Sequence, residues 1–163
     1  MKKLFLISLI VFATIQVFAQ PDSFDVFTYQ PPEFFIKSEL TSEVHFTMTN
    51  NDSSFCSITL YKSQSAKKEV MKDVISQWNK EVVKRLAKAN KKPARVMTEQ
   101  LWDGWVSTLA IGNFYQNKKK CVVMLYSFKK NQTSACAVFA FSDKIFKGPV
   151  EGFSKNLHLI NRQ

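Results

Sequence analysis

Glycine, cysteine and histidine are scarce in this chain of 163 residues, with four, three and two of them respectively. The glycines at 104, 112, 148 and 152 form neither a dinucleotide fingerprint nor a phosphate-cradling loop, and no Gly-x-Ser-x-Gly elbow is present. His45 and His158 stand far apart without Cys or His at ligand spacing, whereas a zinc site needs three or four converging ligands. Cys56, Cys121 and Cys136 are odd in number, which permits at most one bridge plus a free thiol, or an intermolecular link. Each lies within an apolar, strand-like run, and we favour the reading of three buried, inert thiols. The thirteen acidic residues are scattered over expected turns and helix exteriors, where solvation accounts for them. A nucleophile beside a base is not evident. These absences argue against an enzyme, a metal site or a bound cofactor.

Long hydrophobic runs are also missing, except at the N-terminus. Lys2 and Lys3 precede an apolar stretch from Leu4 to Phe12, and Val17-Phe18-Ala19 supplies a peptidase-type cleavage site before Gln20. A spanning helix needs about 20 apolar residues, and Thr14 and Gln16 interrupt this stretch. Residues 1–19 are therefore expected to be a cleaved signal peptide and residues 20–163 a single globular domain, periplasmic or secreted, with no stable membrane span. No cysteine follows the run to carry a lipid anchor.

Alternation and turn chemistry organise the rest. Phe24–Tyr29 reads as a short strand stopped by Pro31-Pro32, and Phe34–Lys37 as another. Glu43–Thr49 alternates, with Val44, Phe46 and Met48 on one face, and Phe55–Tyr61 returns after a polar turn. From Ser65 the period lengthens: Met71, Val74, Ile75, Trp78, Val82 and Leu86 recur at three and four, predicting a long helix from Ser65 to about Ala89, with Trp78 as a core anchor. Asp103-Gly104 is a strong hairpin signal between Arg95–Trp102 and Trp105–Phe114, and a two-residue loop there sets Trp102 opposite Trp105 and Val96 opposite Ile111. Cys121–Phe128 and Ser134–Phe141 are apolar on both faces, as in a sheet covered on two sides. Symmetry about Lys130 and Asn131 places Cys136 opposite Leu125. Pro149 opens a closing helix carrying Val150, Phe153 and Leu157. The order predicts an α+β fold, an antiparallel sheet of about six to eight strands covered by one long and one short helix.

This pattern resembles the PsbP-like α/β/α sandwich superfamily, which includes the DcrB-type bacterial envelope proteins. The resemblance rests on Phe27-Thr28-Tyr29-Gln30-Pro31-Pro32 opening the domain, the strand pair before the long helix, Asp103-Gly104-Trp105 starting a later strand, and the closing helix with Phe153 and Leu157. Glu33-Phe34-Phe35 departs from it, since members often show Gly-Trp after the proline. The resemblance implies a non-enzymatic domain: an extrinsic subunit, assembly factor, envelope protein or protein-binding partner.

Charge is the most informative feature. Residues 67–95 hold ten basic and three acidic side chains, a net +7, while residues 20–66 sum to −4. Further lysines cluster at 118–120 and at 129–130. Lysine so outnumbers glutamate on the long helix that helical pairing does not balance the repulsion. An acidic partner would relieve it. The candidate binding residues are Lys72, Lys80, Lys84, Lys88, Lys91 and Lys92. Three uses are open: an exported protein-binding, assembly or inhibitor domain, possible also as an immunity-type protein; a binder of a polyanionic surface such as acidic glycan, lipopolysaccharide or DNA; or a carrier of a small apolar ligand. Nucleic acid is the weakest polyanion, because exposed aromatics are not evident beside the lysines.

Overall fold

The computed structural model describes residues 20–50 and 52–160; the proposed signal peptide, residues 1–19, lies outside them. Among the described residues, polar turns and alternating apolar residues produce ten strands: β1 (Asp22–Phe24), β2 (Phe27–Tyr29), β3 (Ile36–Leu40), β4 (Glu43–Thr49), β5 (Phe55–Ser65), β6 (Arg95–Gln100), β7 (Val106–Gln116), β8 (Lys119–Lys130), β9 (Thr133–Phe141) and β10 (His158–Leu159). Two α-helices accompany them there, α1 (Val70–Gln77), continued by a π-helical segment Trp78–Val83, and α2 (Lys147–Lys155). Seven strands form one antiparallel sheet in the order β3-β4-β5-β9-β8-β7-β6, and β1-β2-β10 form a small second sheet. The fold is α+β.

β9 sits fourth of seven, and Ser134 to Ala140 are all buried, which explains why both of its faces are apolar. Its residues divide by parity. Ala135, Ala137 and Phe139 join Val44, Phe46, Ile58 and Leu60 in a cluster with Phe27, Tyr29, Phe146, Val150 and Phe153. Cys136, Val138 and Ala140 join Ala110, Phe114, Cys121, Val123 and Leu125 in another, with Val74, Trp78 and Val82 of the helical segment. Trp78 is the anchor expected: fully buried, it donates its Nε1–H to the Asn90 carbonyl at 2.9 Å.

Several expectations are corrected. The helix spans 70–83 rather than 65–89, because Gln64 and Ser65 are held by β9 residues Ser134 and Thr133 after a bulge, and Lys88 has a φ of +52°. Beyond it, Asn90 is captured by β7: its N–H donates to the Asn113 carbonyl and its Oδ1 accepts from the Asn113 N–H. Phe24–Tyr29 is not one strand but a hairpin, reversed at Asp25, whose φ is +54°. The next strand starts at Ile36, since Phe34 has a φ of +66°.

Register is corrected at both late hairpins. The Leu101 N–H donates to the Trp105 carbonyl at 2.8 Å, which encloses three residues, Trp102-Asp103-Gly104, with φ of +59° and +79° at the last two. One extra loop residue moves every pair by one: Val96 faces Ala110, and Gln100 faces Val106. At the next hairpin the loop is Asn131-Gln132, so Cys136 faces Ser127, not Leu125. Cys56, Cys121 and Cys136 are all free and buried.

Candidate functional site

The amphipathic pattern of α1 and its π-helical continuation turns Val74, Trp78 and Val82 inward and leaves Lys72 and Lys80 on the outer side. Lys84 caps the segment, and Lys88, Lys91 and Lys92 lie beyond it rather than on the helix face expected. The six candidate lysines then separate into two groups. Lys72 Nζ lies 2.7 Å from Glu69 Oε1, and Lys80 Nζ lies 2.9 Å from Glu81 Oε1 and donates to Gln64 Oε1 at 3.2 Å. Lys84, Lys88, Lys91 and Lys92 form no ion pair among the described residues.

The fold draws the other lysine runs toward this helix. At its exit, the Tyr115 N–H donates to the Ala87 carbonyl at 3.0 Å, joining the chain after α1 to the end of β7. Asn117 and Lys118, with φ of +49° and +64°, form the tight turn into β8 and bring Lys119 opposite Gln116 and Lys120 opposite Tyr115. Lys118, Lys119 and Lys120 thus follow directly on the strand end to which the helix exit is bonded. At the helix entrance, Lys129 Nζ donates to the Lys68 carbonyl at 2.6 Å. Lysines therefore flank both ends of the helix, Lys118 and Lys119 near its exit and Lys129 at its entrance. Tyr115 is 44% exposed, but alternation sets it on the face of the sheet opposite Phe114 and the helix, beside Lys120.

A second correction concerns the acidic residues. Asp73 and Glu81 are not solvated but buried, in a row Asp73, Gln77, Glu81, Arg85 that repeats every four residues beside the apolar stripe. Asp73 Oδ1 accepts the Lys67 backbone N–H at 2.9 Å, and its Oδ2 accepts the Ser134 hydroxyl, which also meets the Gln77 amide. Arg85 bridges the Glu81 carboxylate at 2.9 Å and the Glu43 carboxylate at 2.8 Å, with its guanidinium carbon 4.8 Å from the centre of the Tyr61 ring. These bonds fix the rotation of the helix and so the outward aim of its lysines. The i, i+4 recurrence of polar residues next to Val74, Trp78 and Val82 was the available signal for this row.

Geometry here favours a structural role over chemistry. Only about 10 Å³ remains among Tyr61, Gln77, Glu81 and Cys136, too little for a substrate. Burial pushes the Cys136 thiol above its ordinary pKa, away from the reactive thiolate. The histidines do not converge: His45 of β4 has its Nδ1 2.7 Å from Thr59 Oγ1 of β5, with burial lowering its pKa, while His158 is exposed on β10. No group of three or more His, Cys, Asp or Glu side chains able to hold a metal is found among the described residues. No helix among them is long and apolar enough to cross a membrane. The space between helix and sheet is filled by Val74, Trp78 and Val82, each wholly buried.

No protein-family model matches the sequence, and no curated protein matches it. Among solved structures, the chain is similar to a protein of unknown function, PA94, from Pseudomonas aeruginosa, with a TM-score of 0.52 at 9% identity over 79% of this chain and 98% of that one. A Bacteroides thetaiotaomicron structure aligns at a TM-score of 0.47 and 14% identity, over 84% of this chain and 46% of the other. The first likeness concerns fold alone.

Proposed function

We propose that this is an exported, non-enzymatic binding domain of a bacterial envelope, with a PsbP-like α/β/α arrangement, which docks an acidic protein partner on the lysine band at the exit of α1. The observation that carries the reading is the gathering of Lys84, Lys88, Lys91 and Lys92, without ion pairs among the described residues, near the turn that carries Lys118 and Lys119. Unbalanced charge of one sign costs self-repulsion, and an acidic surface offsets it. Export rests on Lys2, Lys3 and the apolar run that follows.

A polyanionic surface is the competing occupant, and salt separates the two. Binding to a polyanion weakens steeply and smoothly as salt rises, through counterion release. A protein interface with a desolvated centre keeps part of its affinity. The test is affinity capture from native envelope extract at low and high salt, comparing the protein with a Lys84→Glu, Lys88→Glu, Lys91→Glu, Lys92→Glu variant. An acidic protein retained at high salt and lost in the variant is the expected result. Capture confined to salt-labile polyanions, or a partner indifferent to the variant, overturns the reading.

A further inference from the structure

The open edge of the large sheet opposite β6 is β3, and its sequence, Ile36-Lys37-Ser38-Glu39-Leu40, is chemically self-complementary when reversed. All five residues are exposed, and the strand is regular: it pairs with β4 from Ile36 opposite Thr47 to Leu40 opposite Glu43 without a register shift. Edge strands of monomers are ordinarily blunted by bulges, proline or charged side chains, lysine above all. β3 carries no bulge and no proline, and Lys37 is compensated by Glu39 Oε2 at 2.8 Å and Asp22 Oδ2 at 2.6 Å from its Nζ. Ile36 and Leu40 are 74% and 60% exposed, and both point to the face of His45 and Thr47 rather than the Phe46 core.

We propose that β3 pairs antiparallel with β3 of a second copy of this chain, about a two-fold axis through Ser38, so that two seven-stranded sheets become one continuous sheet. In that register Lys37 lies opposite Glu39 of the second copy, and the symmetry repeats the pair. Ile36 meets Leu40 on the other face, twice by symmetry. Opposite charges directly across an antiparallel pair stabilise it, and like charges destabilise it. A two-fold contact uses the same patch on both copies, which is the self-matching that this strand shows. The other edge lacks it: reversal of β6 sets Val96 against Glu99 and Arg95 against Gln100. The ladder is five residues, about 17 Å long, so the dimer belongs among the small, reversible interfaces.

Sedimentation velocity of the purified protein from micromolar to submillimolar concentration tests this. The wild-type chain is expected to pass reversibly from monomer to dimer. Glu39→Lys places lysine opposite lysine at both charged pairs and should weaken self-association at least about tenfold. Lys37→Glu does the same with carboxylates, and mixing the two single variants restores a dimer, now of unlike chains. That rescue separates an edge contact from a folding defect, since neither variant alone could regain it. A wild-type chain that stays monomeric throughout, a dimer insensitive to both variants, or a mixture that fails to associate would each overturn the proposal.

Discussion

Gly112 and Trp78 provide the sharpest test of how the helical segment is seated. A Cβ built on Gly112 of β7 falls 2.8 Å from both Cη2 and Cζ2 of Trp78, closer than real side chains approach. The indole cannot swing away, because it is fully buried and its Nε1–H is bonded to the Asn90 carbonyl. Gly112→Ala therefore forces overpacking, worth about 1–3 kcal/mol, against a gain of about 0.4–1 kcal/mol from the stiffer unfolded chain. The net destabilisation is about 0–2.6 kcal/mol, centred on about 1.3 kcal/mol, which at that centre lowers the melting temperature by roughly 3–8 °C for a domain of this size. Trp78→Phe removes both clashing atoms and the hydrogen bond, at about 2–4 kcal/mol. In that background Gly112→Ala should keep only the unfolded-chain gain of about 0.4–1 kcal/mol, giving a coupling of about 1–3 kcal/mol, the overpacking alone. Urea unfolding of the four proteins of this cycle, followed by far-ultraviolet circular dichroism, measures each value. A stabilising Gly112→Ala, or simple additivity with Trp78→Phe, would refute the claim that the tryptophan is pinned against this glycine.

Asp73→Ala strips the acceptor from the Lys67 N–H and the Ser134 hydroxyl in a buried setting, and should cost about 2–4 kcal/mol in urea unfolding; a loss below about 1 kcal/mol would show that water replaces the carboxylate. The thiols should be silent toward an aromatic disulfide reagent at pH 8 in the native state and all three react in guanidinium, because burial pushes Cys56 up to about 12 and raises Cys121 and Cys136. Rapid native labelling of any one of them would contradict its burial.

How much of this was legible in the sequence depends on the reach of the signal. Strands β4, β5, β8 and β9 were readable because each carries its own alternation or a double-sided apolar run. The core role of Trp78 was legible from its place in a 3.6-residue stripe. Helix ends were not, because long-range partners set them: Thr133 and Ser134 of β9 hold the end of β5, and Asn113 of β7 takes Asn90. β10 was missed because two residues carry no period; only the Ile160 N–H to Val26 carbonyl bond and the pairing with β2 define it.

Composition and periodicity by themselves determined the fold class, the buried thiols and the core tryptophan, since each is written in the order of residue types along a short window. The lysine excess was legible as a run, but not its place, because the helix closes at Val83 and Lys88, Lys91 and Lys92 lie beyond it. The tertiary structure alone decided which lysines are neutralised. It also set the hairpin registers, where one loop residue more or less shifts every cross-strand pair. It buried Asp73 against Ser134, 61 residues away along the chain, and tied Arg85, the partner of the buried Glu81, to Glu43, 42 residues away. It brought the turn carrying Lys118 and Lys119 to the exit of α1, and it left β3 as an edge. Each of these depends on which distant segments become neighbours, and that is settled by the packing of two apolar faces around β9 rather than by any local run of residues.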